Sequence, residues 1–369
     1  MRIALLMGVG IPWSRDAATM LARLGHEVHA IDFTTDKAAL GHLLRSDPFQ
    51  QEDIARFKNT IAAVHWLSSR MRNTLRYVTS APALRRVLNT IRPDVLLTLY
   101  GGGFASLAQL SGFRPYCTWV VGSDVLLVRG LQARMLSRAL RDAALVFANG
   151  DFLAARARQL SPRANVETLL FGIDLDEFAT GTKPRGPCRI LTNRGFNPVY
   201  QNDYIVRALQ LVDPDVADFE LVFASAGPEL DAVRNLADRI LPSRTRERVR
   251  FCGGVIRAEM LRLLHESHVF VSMARSDGTA TSLLEAMASG SYPVLSDIPQ
   301  NREWVRPEWG NGTLVPLDSP PDLAAALQRA IAAPPRDCAV AAFNRRQVQD
   351  RADARRNMER LVTRLHQVV

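Results

Sequence analysis

The chain has 369 residues, 47% hydrophobic and 22% charged, a composition that excludes a mostly disordered protein and suits two globular domains of ordinary size. Its net charge of +9 is compatible with nucleic acid, an anionic membrane surface or a phosphate-bearing substrate as partner. Four cysteines, Cys117, Cys188, Cys252 and Cys338, stand far apart without a CxxC pair, so buried free thiols are expected rather than a zinc site or a disulfide framework.

The apolar runs, such as Val95-Leu96-Leu97-Thr98-Leu99-Tyr100, are too short to cross a bilayer, and the first seven residues run directly into Gly8-Val9-Gly10. A cytoplasmic protein is therefore expected. In chain order, a strand is expected over 3–7, a turn over 8–14, a helix over 16–24 and a strand over 27–33, which is a βαβ unit. The region 36–80, with Trp66, Arg70, Arg72 and Arg76, carries no readable chemistry. A helix over 80–91 then leads to a strand over 95–100 that stops at Gly101-Gly102-Gly103. A second strand, over 115–121, ends at Gly122-Ser123-Asp124, and a helix over 131–140 and a strand over 144–148 follow. Between Gly172 and Cys188 the pattern lapses into Gly, Thr, Pro and acidic residues. A fresh series begins at Arg189, with strands over 219–225, 249–251, 269–273, 292–295 and 313–315. The helices between them are expected over 203–211, 228–240, 258–265, 283–289 and 321–332.

This alternation predicts an α/β protein of two doubly wound Rossmann-like domains facing each other across a cleft, spanning 1–175 and 189–343 with a linker over 176–188. A C-terminal helix over 344–369 is expected to pack back on the first domain. From Arg345 to Arg364 it carries seven arginines against Asp350, Asp353 and Glu359, a local charge of +4. Its apolar positions Val348, Ala352, Leu361, Val362 and Leu365 favour a docked helix with a solvated basic face over a nucleic-acid arm.

Gly8-Val9-Gly10 after the first strand, with Asp32 closing the second, invites a dinucleotide-binding reading, but Trp13 stands where a third glycine is needed and Pro12 precedes it. Nicotinamide or flavin binding is therefore disfavoured. A glycine loop of this kind can still approach a substrate or phosphate closely, and Gly10 is placed among the donor contacts on that ground.

The stronger constellation runs from Ser276 to Trp304. A strand ends near Met273, a loop of small polar residues follows, and an apolar helix opens with Thr281 and Ser282 at or near its N-cap. Free amides and the helix dipole there favour a phosphate oxygen. Asp277 and Glu285, eight residues apart, would address different parts of one extended ligand, unless Glu285 is simply a salt-bridged helix carboxylate.

These residues resemble the family 4 retaining glycosyltransferases, whose signature is two acids with seven residues between, an Ala-Met-Ala-x-Gly helix and a Pro-Val strand. The match here is Asp277 through Glu285, Ala286-Met287-Ala288-Ser289-Gly290 and Pro293-Val294, with Asp where the first acid is usually Glu. Gly25-His26-Glu27-Val28, Phe171-Gly172-Ile173-Asp174-Leu175-Asp176-Glu177-Phe178, Phe251-Cys252-Gly253-Gly254-Val255 and Thr192-Asn193-Arg194-Gly195 extend the resemblance over nearly the whole chain.

The resemblance implies a nucleotide-diphosphate-sugar donor in the second domain. Asp277, Gly278 and Thr279 would hold the sugar hydroxyls, the amides of Thr281, Ser282 and Leu283 the phosphates, and Glu285 the ribose. Gly254, Val255 and Ile256 would meet the base and Arg194 the pyrophosphate. The family's usual lysine after that arginine is absent from 196–203, and Val121 replaces its usual N-domain histidine. Asp277, Arg194 and Asp124 are left as catalytic candidates, and Gly102, Gly103, Ser123 and Asp124 as acceptor contacts, with a structural turn the alternative for Ser123 and Asp124.

No metal or cofactor is expected besides the nucleotide sugar itself. Asp174-Leu175-Asp176 and Asp213-Pro214-Asp215 fall in the linker match and at a helix end, and His265 and His268 are expected to be surface histidines rather than ligands. The implied activity is retaining hexosyl transfer to a small-molecule, lipid-linked or saccharide acceptor, with peripheral contact to an anionic membrane left open and nucleic acid not expected. An epimerase of nucleotide sugars and a silent sugar-nucleotide-binding partner remain the alternatives.

Overall fold

The computed structural model describes residues 1–33, 48–67, 69, 74–178, 183–213, 215–334 and 338–369, so Arg70 and Arg72 of the unread region lie outside the described residues. The chain divides into two compact units, Met1–Phe171 with Ala354–Val369, and Gly172–Asp353.

The strands of the first unit are β1 (Arg2–Met7), β2 (Glu27–Asp32), β3 (Ala63–Trp66), β4 (Val95–Leu99), β5 (Tyr116–Val120), β6 (Leu145–Ala148) and β7 (Val166–Thr168). They form a parallel sheet in the order β3-β2-β1-β4-β5-β6-β7. Its central strands β4 and β5 are buried throughout because helices cover both faces, and their two polar residues, Thr98 and Thr118, pair hydroxyl to hydroxyl at 2.6 Å. Ile3, Leu5 and Met7 enter the core on one face while Ala4 and Leu6 enter the core on the other, the two-residue period of a strand made visible. On the first of these faces Trp119 stacks on Phe171 at 4.1 Å between ring centres and donates from Nε1 to the Leu169 carbonyl at 2.9 Å.

In the second unit β8 (Cys188–Thr192), β9 (Phe219–Phe223), β10 (Val249–Phe251), β11 (Val269–Ser272), β12 (Tyr292–Ser296) and β13 (Thr313–Val315) form a parallel sheet in the order β10-β9-β8-β11-β12-β13. Two doubly wound α/β units are thus present, as the alternation of apolar runs predicts.

The boundaries differ from expectation in two places. The chain passes between units at Phe171 and Gly172, upstream of the expected linker, and the segment Leu175–Glu177 is a 3-10 turn belonging to the second unit. The expected helix over 344–369 is two helices, Cys338–Arg351 and Ala354–His366. At the break the Ala352 carbonyl accepts from Ile173 N at 2.9 Å, and Ile173 and Asp353 form a short parallel bridge. Met358, Leu361 and Leu365 of the last helix then join the core beneath β1, and Asn357 donates to the Leu170 carbonyl at 3.0 Å. The packing of this helix on the first unit is therefore as expected, with its apolar stripe inward and Arg355, Arg356 and Arg360 exposed.

Two further expectations are corrected. Cys117 and Cys188 are buried free thiols, but Cys338 is exposed and Cys252 only partly covered. His268 lies beyond its helix, fully buried, its ring accepting from Arg189 N at 3.1 Å and lying 3.0 Å from the Pro184 carbonyl, so it is a satisfied core histidine and not a surface one.

Candidate functional site

In a doubly wound sheet, ligands bind beyond the carboxyl ends of the strands where the order of connection reverses. In the second unit that reversal lies between β8 and β11. The loop after β8 carries Arg194 and the loop after β11 carries Asp277, so the sequence-predicted residues arrive at one place from 83 positions apart.

Arg194 is 8% exposed. Its guanidinium donates to Ser282 Oγ at 2.6 Å and to Asp277 Oδ2, and it lies 4.2 Å over the Tyr200 ring. Asp277 turns its other oxygen to Gly278 N at 2.9 Å, which fixes the loop. Four buried side-chain atoms of this stretch, Thr192 Oγ1, Asn193 Oδ1, Arg194 Nε and Asn202 Oδ1, have no hydrogen-bond partner among the described residues. Buried polar groups are nearly always paired, and four unpaired atoms around one loop are a departure from that pattern.

The helix Thr281–Ala288 has Ala280 as its N-cap, with no side-chain cap, so Thr281 and Ser282 open its first turn. The Leu283 amide, expected on a phosphate, bonds the Ala280 carbonyl at 3.0 Å instead, leaving the amides of Thr281 and Ser282 as the first-turn donors. Glu285, one turn on, is 9% exposed and accepts from Arg257 Nη1 at 2.6 Å. Burial pushes its carboxyl above the ordinary range, and Arg257 pulls it back. The salt-bridged alternative for Glu285 is thereby realised, without removing its free second oxygen from consideration. Gly254 and Val255 follow β10, and Ile256, 59% exposed, caps the next helix. Gly227 makes the neighbouring loop possible: its φ is +154° and a Cβ there would stand 2.6–2.8 Å from the Phe196 backbone, just after Arg194.

The first unit has its own reversal between β1 and β4. After β1, Asp32 accepts from Val9 N at 2.6 Å, while Arg15 and Ser14 bond the carbonyls of Val9 and Gly8. Gly10 sits in this closed turn of the first unit. After β4 the expected stop at three glycines is the start of a helix, Gly102–Ser111. A Cβ on Gly103 would fall 1.8 Å from Tyr77 Cζ, so this glycine lies directly under the Tyr77 ring.

Asp124, expected as a catalytic group, is 1% exposed, and its carboxylate accepts from the amides of Gly101 at 2.6 Å, Gly122 at 2.7 Å and Val121 at 3.1 Å. Burial pushes it up to about 6 against the pull of these amides. The structural-turn alternative describes it: Asp124 ties the loop after β4 to the loop after β5. Ser123 faces outward and shares a 2.9 Å hydrogen bond with the Tyr100 hydroxyl.

Arg257, Tyr200 and Asn202 are site residues that sequence reasoning missed. Asp174 caps the turn Leu175–Glu177, its carboxylate accepting from Asp176 N at 3.1 Å, and Asp215 pairs with Arg244. Among the described residues no group of three His, Cys, Asp or Glu is placed to hold a metal, and no helix is long and apolar enough to cross a membrane.

Comparison with known proteins matches residues 190–333 to the family model described as glycosyl transferases group 1 and residues 18–150 to the one described as glycosyl transferase 4-like. A GDP-mannose:cellobiosyl-diphosphopolyprenol alpha-mannosyltransferase from Xanthomonas campestris is 26% identical over 152 residues, 40% of this chain and 38% of that protein. The match thus spans less than half of the curated relative's length. Among solved structures, Anabaena HepE in complex with UDP has a TM-score of 0.78 at 17% identity, covering 100% of both chains. Sucrose-phosphate synthase from Thermosynechococcus elongatus has a TM-score of 0.77 at 16% identity, covering 100% of this chain and 99% of that one. At these identities the structural likeness is one of fold, and it extends over both α/β units. Each unit is matched by its own glycosyltransferase model, and the chain belongs to the group 1, family 4 type glycosyltransferases.

Proposed function

We propose that this glycosyltransferase moves a hexose from a nucleotide-diphosphate donor to an acceptor held by the first unit, with retention of anomeric configuration and without a metal. The observation that carries the reading is the meeting of Arg194, Asp277 and Ser282 at the reversal between β8 and β11. A cation, two first-turn amides and a helix N-terminus at one point suit a diphosphate.

In this reading Arg194 and the amides of Thr281 and Ser282 take the charge that grows on the departing diphosphate, which is electrostatic stabilisation by preorganised donors. Glu285 accepts the ribose hydroxyls, Gly254, Val255 and Ile256 border the base, and Asp277, Gly278 and Thr279 orient the sugar. The acceptor hydroxyl attacks the anomeric carbon on the face the diphosphate leaves, and a diphosphate oxygen takes its proton. Bond order at the anomeric carbon is conserved, and no protein nucleophile is needed. Gly102, Gly103 and Ser123 border the acceptor, while Asp124 holds their loops in place.

The donor class has support from HepE, solved with UDP and with UDP-glucose, and a lipid-linked diphosphate acceptor from the Xanthomonas relative, which is named for one. A thermal-shift screen with UDP, GDP, ADP and TDP sugars, followed by mass spectrometry of products formed from pooled acceptors, tests the proposal. A donor that stabilises the protein and yields a hexosylated product is expected; stabilisation by none of them would refute it.

A further inference from the structure

Glu285 has a partner that the glycosyltransferase resemblance does not supply. Arg257, the first residue of the helix Arg257–Glu266, reaches Glu285 Oε1 with Nη1 at 2.6 Å and reaches Glu177 Oε2 with both Nε, at 3.1 Å, and Nη2. The Phe178 ring lies 5.3 Å from the guanidinium carbon. Glu177 closes the 3-10 turn Leu175–Glu177, and that turn is itself anchored: Arg345 Nη1 donates to the carbonyls of Phe178 at 3.0 Å and Ala288 at 2.6 Å. The turn is therefore fixed to the C-terminal end of the very helix whose first turns bear Ser282 and Glu285. Arg257 is gripped from behind by this turn and presents its remaining nitrogen to Glu285.

We propose that Arg257 is a positioning residue for donor binding, keeping the buried Glu285 carboxylate ionised and turned so that it accepts ribose hydroxyls. This rests on the reading of Glu285 as the ribose contact. The charge arithmetic supports it. Glu285 has 11% of its side chain exposed and Arg257 34%, so the acid is the desolvated member and the cation stands at its solvent side. A carboxylate removed from water keeps its charge only beside a cation. The groups facing it are Arg257 and Glu177; Arg194 and Asp277 pair with each other beyond Ser282, and Arg345 lies at the far end of the helix. Without Arg257 the nearest remaining charge is Glu177, which repels. The protonated acid would then present a hydroxyl donor where the ribose needs an acceptor.

Calorimetric titration with UDP and GDP between about pH 6 and pH 8.5 tests this, each variant being read as a ratio to the unaltered protein at the same pH so that the ligand's own phosphate titration cancels. Arg257→Met should bind near normally at the alkaline end and progressively worse towards the acid end, by up to about tenfold per pH unit below the raised carboxyl pKa. Arg257→Gln, which keeps hydrogen-bonding atoms but not the charge, should show the same slope if the Met variant folds poorly. Arg257→Lys should abolish the slope. Combining Arg257→Met with Glu285→Gln should also remove it, because no carboxyl is left to titrate. If Glu285→Gln weakens UDP and GDP binding but Arg257→Met and Arg257→Gln follow the unaltered protein at every pH, the inference is overturned while the ribose reading stands. If Glu285→Gln leaves both ligands bound as before, the ribose reading itself fails and takes the inference with it.

Discussion

Replacing Arg194 with alanine removes the one cation of the loop that follows β8, since 196–203 holds no lysine or arginine. Three losses combine. The charge-assisted contact to the diphosphate is worth about 1.5–3 kcal/mol. The stacking over Tyr200 at 4.2 Å also goes, loosening the loop. Asp277, whose side chain is 19% exposed, keeps its negative charge with its partner gone, so it repels the incoming phosphates. The second and third effects push the total to the upper part of the range, about 3 kcal/mol, or on the order of a hundredfold in Kd. Calorimetry with UDP and GDP measures it, with a melting curve to confirm folding. Adding Asp277→Asn to Arg194→Ala should recover part of the loss, because it removes the unpaired carboxylate. A Kd for Arg194→Ala within about threefold of the unaltered protein would refute the reasoning, since a single charge-assisted contact already exceeds that.

Asp277→Asn alone should keep or tighten binding of the bare nucleoside diphosphate, because it relieves Arg194 of its counter-charge, while turnover falls at least tenfold, about 1.4 kcal/mol, through loss of sugar orientation; steady-state kinetics beside calorimetry separate the two. Gly227→Ala should destabilise the second unit by about 2 kcal/mol or more, because its Cβ would meet the Phe196 backbone at 2.6–2.8 Å, and chemical denaturation reads the change. Transfer in excess EDTA should run at the rate seen without it, and a complete loss restored by Mn²⁺ would contradict the assignment of leaving-group charge to Arg194 and the helix amides.

Much of the fold was legible because parallel strands buried on both faces are short, largely apolar runs, and β1, β4, β8 and β11 are such runs followed closely by glycine or polar residues. What was misread or missed lacks that pattern. The strand Ala63–Trp66 lies at an edge and is only partly covered, and the short strand Val166–Thr168 closes the other edge. The helix at Gly102–Ser111 begins with glycines, which read as a stop although they are there to let the Tyr77 ring and the Asp124 carboxylate approach closely. The acids of the second unit were found from their spacing, and Arg194 from its neighbours. Arg257 was not, because its meaning depends on Glu177 and Glu285, 80 and 28 residues away, which only the folded turn brings to it. Asp124 was left between two readings for the same reason: a carboxylate after a glycine turn looks the same in sequence whether it faces a substrate or three backbone amides.

The most direct test of the account is a transfer reaction followed by mass spectrometry and anomeric proton NMR, using whichever UDP, GDP, ADP or TDP sugar stabilises the protein and a pool that includes lipid-linked diphosphate saccharides. The account predicts release of one nucleoside diphosphate for each hexose gained by an acceptor, with the anomeric configuration of the donor preserved. Interconversion of the donor without an acceptor, an inverted product, or donor binding with neither transfer nor hydrolysis would contradict it.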